Sequence, residues 1–383
     1  MKPTKLFQEF FSSEKAGGFI LILVTILSLF LANSPWQNEY TGFWDKDIGG
    51  HSITHWINDG LMAVFFLLIG LELEREIYAG ELSNIKKASL PIFAALGGMV
   101  VPAGIYLLLN YGTETLSGAG IPTATDIAFA IGILSLLGKR VPISLKIFLT
   151  ALAVIDDLGA IIIISVFYTS TLVVIHLIIA IGIFLFLIIL NRLKVYKLFP
   201  YIIGGIAMWY FMQQSGVHPT ISGVLLAFAI PFSGGEKTPS FILQHILHKP
   251  VALFILPLFA LANTAIALDS SFLAGLTQAS GLGIMLGLII GKPAGILFFS
   301  FAAVKSGFSE LPYGMKWTSV LGTGLLAGIG FTMSIFIALL AFEDAQMVNN
   351  SKAAILIASC FAGTAGYLCL KAVLKKPIDE VTV

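Results

Sequence analysis

The chain has 383 residues, of which 57% are hydrophobic and only 11% charged, whereas soluble domains carry about a quarter charged residues. Mean hydropathy is +0.94, so the chain reads as an all-α polytopic membrane protein, a single integral membrane domain over residues 1–383. A net charge of +1 gives no sign of a nucleic-acid partner, and none is expected.

A hydropathy window of about nineteen residues predicts twelve apolar segments, near 16–32, 55–71, 89–109, 119–137, 142–167, 172–190, 198–212, 216–232, 250–267, 279–303, 318–341 and 352–374. The first follows Lys2, Lys5 and Lys15 in the manner of a signal peptide, but the charge pattern needs it as the first span. An even number of spans puts both termini on one side. Of 22 Lys and Arg, only Lys46 and Lys352 fall in the opposite connections and Lys292 inside a span, which leaves nineteen at the termini and the even-numbered connections. The excess of cations on the inside places both termini in the cytoplasm.

The first outer connection, Asn33 to Thr54, holds Pro35, Trp36, Trp44 and Gly49-Gly50, the composition of a short turn or hairpin at the interface. At the cytoplasmic end of the second span, Glu72-Leu73-Glu74-Arg75-Glu76 is rich in carboxylates, and Gln244-His245-Ile246-Leu247-His248-Lys249 brings two histidines to the start of the ninth. Both stretches read either as ordinary solvated helix ends or as a mouth whose charge follows pH, since histidine titrates nearest neutrality. Asp59, near the outer end of the second span, reads equally as structural or functional, and His218 as a loop or helix-start residue rather than a ligand. Cys360 and Cys369 lie nine residues apart on one predicted helix, too far for a disulfide.

Two spans are predicted to be broken. Pro122, in Gly118-Ala119-Gly120-Ile121-Pro122-Thr123-Ala124-Thr125-Asp126, interrupts the fourth because it lacks an N–H and crowds the preceding turn. Closely spaced glycines weaken the eleventh around Ala327-Gly328-Ile329-Gly330-Phe331-Thr332-Met333-Ser334. Irregular backbone at that depth is tolerated where it is buried in protein or lines a cavity, so the two are expected to face each other. Ala119-Gly120-Ile121 matches Ala327-Gly328-Ile329, and spans 3–5 and 10–12 enter from opposite sides, as an inverted-topology repeat requires. Broken helices in corresponding halves point to a transporter site.

The apolar run from Ile147 to Phe167 carries Asp156 and Asp157 at its middle. As a helix it is long enough to cross the hydrocarbon core, which puts the pair near the midplane, where a carboxylate is costly and marks function by default. Adjacent helical residues point about 100° apart, so Asp157 shares a strip with Thr150, Ala153 and Ala160, and Asp156 with Leu149, Leu152 and Gly159. The tenth span has glycines at 283, 287, 291 and 295, a bare face for close helix approach, with Lys292 beside it. A midplane ammonium needs an anionic partner, and Asp126, Asp156 and Asp157 are the candidates. Three acids against one base suit a bound cation. Asp126 is placed to offset the positive helix ends at the breaks and Lys292 the negative ones.

Oxygen ligands suit hard cations such as Na+ or Li+, and a carboxylate pair also takes protons. One site that holds either but not both is enough for exchange under alternating access. A polar network that merely holds helices together is the plain alternative for the pair, and a snorkelling side chain the one for Lys292. Another proton- or sodium-coupled secondary transporter is the competing function; for an organic anion it would need more than the single intramembrane cation. An intramembrane aspartyl protease, the enzymatic alternative, needs its aspartates on facing helices rather than side by side. A retinal-type pump with Lys292 as its Schiff base fits twelve spans poorly.

Seven stretches then carry a family resemblance: Trp56-Ile57-Asn58-Asp59 with Ala63 to Leu68, Thr123 to Ala130, Leu145 to Leu149, Ile155 to Ile161, Ser215 to His218, Gly291-Lys292-Pro293 and Gly328 to Phe336. Together they resemble the bacterial NhaA sodium/proton antiporter family along almost the whole chain. The resemblance implies a multi-pass protein of the bacterial inner membrane with crossed broken helices 4 and 11. It also implies electrogenic exchange of cytoplasmic Na+ or Li+ for entering protons, with no cofactor beyond the transported ions, and lipid and a homodimer as partners. It makes Asp157 the principal ion-binding carboxylate and Asp156 its partner, paired with Lys292, while Thr125 and Asp126 belong to the helix break. Glu72 and Glu76 fall in the family's pH-sensing region and His218 at a position linked to pH response, while His245 and His248 remain pH-sensing candidates from the cytoplasmic mouth read above. Gln244 stands where the family pattern has Glu, and the outer loop, through which members dimerise, is compact here.

Overall fold

In the computed structural model, residues 5–169, 172–232, 235, 238–266 and 275–374 are described. They form fourteen helices, three 3-10 runs, of which Glu114–Thr123 is the long one, and one two-stranded hairpin. Helix α1 spans Lys5–Ala32 and α2 Gln37–Trp44; strands β1 (Asp47–Ile48) and β2 (His51–Ser52) precede α3, Ile53–Tyr78. Then come α4 (Ile85–Leu109), the 3-10 run Glu114–Thr123, α5 (Ile127–Ser135), α6 (Ile143–Phe167), α7 (Val174–Arg192), α8 (Leu198–Ser215) and α9 (Ile221–Ala229). The chain continues through α10 (Pro239–Asn263) and α11 (Ala279–Lys305). It closes with α12 (Trp317–Ala327), α13 (Phe331–Ala341) and α14 (Ala345–Val373).

Eight of these helices are long and apolar enough to cross a membrane, up to ten when each of two bent helix pairs is one span. The protein is therefore an all-helical, multi-pass membrane protein. Of the cations that orient the spans, Lys2, Lys237, Lys375 and Lys376 lie outside the described residues.

The chain divides into two compact units. The first comprises Met1–Phe19, Asn84–Asp156 and Ser270–Val383; the second comprises Ile20–Ser83 and Asp157–Asp269. The chain passes from one unit to the other inside α6, between Asp156 and Asp157.

In the first unit, the glycine face of α11 packs closely on its neighbours. A Cβ on Gly295 would come within 2.1 Å of Gly97 O in α4, and one on Gly287 within 2.6 Å of Pro122 Cβ, so only hydrogen fits. Five residues of α11, Gly287–Gly291, form a π-turn directly before Lys292 and Pro293. Such an inserted residue is common near functional groups.

The second unit packs α7, α8 and α9 around Leu71, Leu187, Tyr201, Met208 and Leu226. Its α3 passes through a π-turn, Trp56–Leu61, after Ile53–His55, and α10 contains another at Val251–Ile255, after Pro250 has removed an N–H from the ladder.

The first broken pair, Glu114–Thr123 with Ile127–Ser135, bends by 41°, and the second, Trp317–Ala327 with Phe331–Ala341, by 49°. The interruption of the first lies at residues 124–126 rather than at Pro122. Pro122 lies inside a 3-10 run that ends at Thr123, and the chain turns extended only at Ala124, φ −81° and ψ 154°. A run of ten residues is unusually long for this tighter helix.

Candidate functional site

The crossing of the two breaks in the first unit is built from the backbone outward. Asp126 caps its own helix: Phe129 N donates to Asp126 Oδ1 at 2.9 Å, satisfying one of the donors that every helix start leaves open. Its second oxygen serves the other break. Thr332 N donates to Asp126 Oδ2 at 3.1 Å and the Thr332 hydroxyl donates to the same atom. One carboxylate thus caps α5 and α13 together, with its negative charge at two positive helix ends. The backbones are tied as well, since Asp126 N donates to Ile329 O at 2.7 Å and Ser334 Oγ to Ile121 O at 2.7 Å.

Beside this crossing lies a buried ion pair. Lys292 Nζ is 3.1 Å from Asp156 Oδ2, with both side chains fully buried, and it also donates to Thr123 O in the first break. Thr125 Oγ1 lies 2.7 Å from Asp156 Oδ2 and 2.9 Å from Ala327 O. A buried ammonium is tolerable only when paired and hydrogen-bonded, and here a carboxylate and a carbonyl meet that need. Asp156 Oδ2 therefore receives both Lys292 and Thr125. Asp156 Oδ1, also buried, has no hydrogen-bond partner among the described residues. Within this unit, the crossing and the ion pair beside it hold two carboxyl groups, Asp126 and Asp156, and one amine, Lys292.

Asp157 belongs to the second unit and is fully buried. The same unit holds the carboxylates and histidines of α3 and α10. Glu72 Oε1 is 3.1 Å from His248 Nε2, both buried, and Glu74 Oε2 accepts from Ser240 Oγ at 3.0 Å. Gln244 is buried at 2% exposure. Glu76 pairs with Arg75 at 2.9 Å, and His245 is exposed. His218 lies between α8 and α9, its Nδ1 3.1 Å from Thr220 Oγ1. Asp59 stands in the π-turn of α3, its Oδ2 3.5 Å from His55 Nε2.

Thr125, Asp126, Asp156 and Lys292 are therefore brought together in the first unit, while Asp157, Glu72, Glu76, His218, His245 and His248 belong to the second. Sequence reasoning assigned no role to Thr332, the partner of Asp126, or to Ser240, the partner of Glu74. A hydroxyl in the first turn after a glycine break was the available signal for Thr332. The carbonyl of Thr123 could not be found that way, because every residue has one.

Comparison with known proteins adds a family. A family model described as "Na+/H+ antiporter 1" matches residues 8–370. The chain is 63% identical over 375 residues to Na(+)/H(+) antiporter NhaA 1 of Flavobacterium johnsoniae, covering 98% of each chain. It is 64% identical over 381 residues to Na(+)/H(+) antiporter NhaA of Flavobacterium psychrophilum, covering 99% of each. It is 58% identical over 381 residues to the NhaA of Cytophaga hutchinsonii, covering 99% of this chain and 98% of that one.

Proposed function

The chain belongs to the Na+/H+ antiporter 1 family, and from that premise we propose that it exchanges cytoplasmic Na+ or Li+ for entering protons across a bacterial inner membrane. The observation that carries this reading is the buried group at the helix breaks: a lysine-paired aspartate whose second oxygen has no partner among the described residues. An oxygen in that condition is a place for a proton or a hard cation.

Asp157 is the principal cation-binding carboxylate and Asp156 its partner. Lys292 holds Asp156 until a proton or a cation changes the pairing. Because the two aspartates adjoin, they titrate as a unit, and loading by Na+ excludes loading by protons. Exclusion converts a binding site into an exchanger when access alternates between the two sides. Thr125 and Asp126 keep the breaks in register so that this occupancy is felt by both broken helices. Glu72, Glu76, His245 and His248 set the pH response from the cytoplasmic end, with His218 acting on it from another part of the second unit. Exchange is electrogenic, regulating cytoplasmic pH and Na+.

The span number belongs to this proposal. Eight long helices, two bent pairs, and the helices Leu198–Ser215 and Ile221–Ala229 make twelve, which puts both termini in the cytoplasm. Spans 3–5 and 10–12 form an inverted repeat, each containing one broken helix. A homodimer in the bilayer completes the assembly.

The test is exchange in everted membrane vesicles with a preset proton gradient. Na+ or Li+ should dissipate the gradient, and Asp157→Asn should abolish the response while the protein still assembles. Normal exchange by the Asn variant overturns the mechanism.

A further inference from the structure

The hairpin before α3 carries chemistry that ion exchange leaves unused. Gly49 and Gly50 have φ of +68° and +90°, the two positive values a two-residue type I′ turn requires. The turn pairs Ile48 with His51 and Asp47 with Ser52. Trp56 Nε1 donates to Ile48 O at 2.8 Å and Ile53 N to Lys46 O at 3.1 Å, which fastens the hairpin to the start of α3. The His51 ring stacks on His55, with centroids 4.1 Å apart and planes 14° from parallel, and meets Trp56 edge-on at 5.9 Å. Trp56 in turn stacks on Trp209 at 6.0 Å.

His55 Nε2 is 2.8 Å from the amide nitrogen of Gln213 and 3.5 Å from Asp59 Oδ2. An amide nitrogen only donates, so His55 Nε2 accepts from it and is without its own proton. When that nitrogen is protonated, its one N–H can no longer accept from the Gln213 amide and turns to an acceptor, with Asp59 Oδ2 3.5 Å away. The charged and titratable groups around the stack are Asp59 from α3, His218 from the turn before α9, on which the charge of His55 acts, and Lys46 and Asp47 from the hairpin. Asp47 Oδ1 already accepts from Gly50 N at 3.0 Å. Asp59 can balance one imidazolium, and His51, stacked on His55, has no carboxylate in ion-pair contact among the described residues.

We infer that His51 and His55 form a proton-operated latch on the outer hairpin. The first proton is held between His55 and Asp59. The second sets two imidazolium rings face to face, where like charges at so short a distance repel strongly, and releases the hairpin from α3. The ligand is the proton, taken from the medium that the hairpin faces. Only the identity of that medium, the outer side, rests on the proposed exchanger; the latch itself does not.

Hydrogen exchange of the full-length protein in lipid nanodiscs, followed by mass spectrometry from pH 7.5 to pH 5, reads the latch directly. After correction for intrinsic rates, protection over residues 45–55 should fall about tenfold on acidification in the wild type. Tryptophan fluorescence should change over the same range, because Trp56 touches His51. In His51→Phe, a neutral ring stacks on the His55 imidazolium and attracts it, so protection should hold or rise. In His55→Gln the second charge cannot form, and acid release should be lost as well. Unchanged wild-type protection, or an acid transition that persists in both variants, overturns the latch. A flat hairpin alongside normal Na+/H+ exchange rejects only this inference. An acid-labile hairpin in a protein whose Asp157→Asn variant still exchanges rejects only the transport mechanism.

Discussion

The two breaks in the first unit bend by similar angles, 41° and 49°, yet they are made of different chemistry. The first is extended at residues 124–126 and supplies side chains: Thr125 reaches Ala327 O, and Asp126 reaches Thr332. The second supplies backbone, Ala327 O, Ile329 O and Thr332 N, and two uncharged hydroxyls, those of Thr332 and Ser334. Gly328 and Gly330 have φ of −67° and −89°, values any residue adopts. Their absence of a side chain is a matter of space: a Cβ on Gly328 would lie 2.4 Å from Leu288 O, and one on Gly330 2.0 Å from Ser334 Oγ. One break is thus held by a charge and the other by room. Of the two breaks, only the first carries a charged side chain of its own, Asp126.

If that contrast is right, the largest loss comes from Asp126. Asp126→Ala leaves the N–H of Phe129, the N–H of Thr332 and the Thr332 hydroxyl without their acceptor. At about 1–3 kcal/mol for each buried group left unsatisfied, the destabilisation is on the order of 4 kcal/mol. Thermal unfolding in detergent measures it, and both half-helices should lose hydrogen-exchange protection together. A variant that melts like wild type breaks the comparison at its charged side.

Gly328→Ala tests the other side. The added methyl runs into a backbone oxygen of α11 that cannot turn away, and overpacking of this kind costs about 1–3 kcal/mol. Its effect should be smaller than that of Asp126→Ala and confined to exchange around residues 324–334. An Ala variant as stable as wild type would mean that the second break is not held by space at all.

The membrane class and most segment positions were legible because a span writes itself into about twenty apolar residues. The two breaks were legible as a proline and a cluster of glycines, and Asp126, Asp156 and Lys292 as costly charges inside apolar runs. The position of the first break was not. Pro122 was expected to end the helix, but in a 3-10 run the chain stays wound through Thr123. Nor was the partnership of Asp126 with Thr332, 206 residues apart, because no local pattern encodes which hydroxyl a carboxylate will meet. The segment at 216–232 also came out shorter, as the nine-residue helix Ile221–Ala229, because Pro219 and Gly216 at φ +82° keep the preceding turn irregular.

The smallest expected effect is at Pro122, and it decides what causes the first bend. A proline removes one N–H and crowds the previous turn, so a bend caused by Pro122 should relax in Pro122→Ala and carry Thr125 and Asp126 away from the second break. A bend held by hydrogen bonds should survive. Three of those bonds link residues 125 and 126 to 327, 329 and 332, and they involve no atom of residue 122. Alanine also retains the Cβ that packs where Gly287 of α11 leaves room. Pro122→Ala should therefore shift stability by less than about 1 kcal/mol and leave exchange of Na+ for protons near the wild-type level. A large loss of exchange with little loss of stability would assign the bend to the proline, and Asp126 would then be a cap on a turn already made rather than the group that makes it.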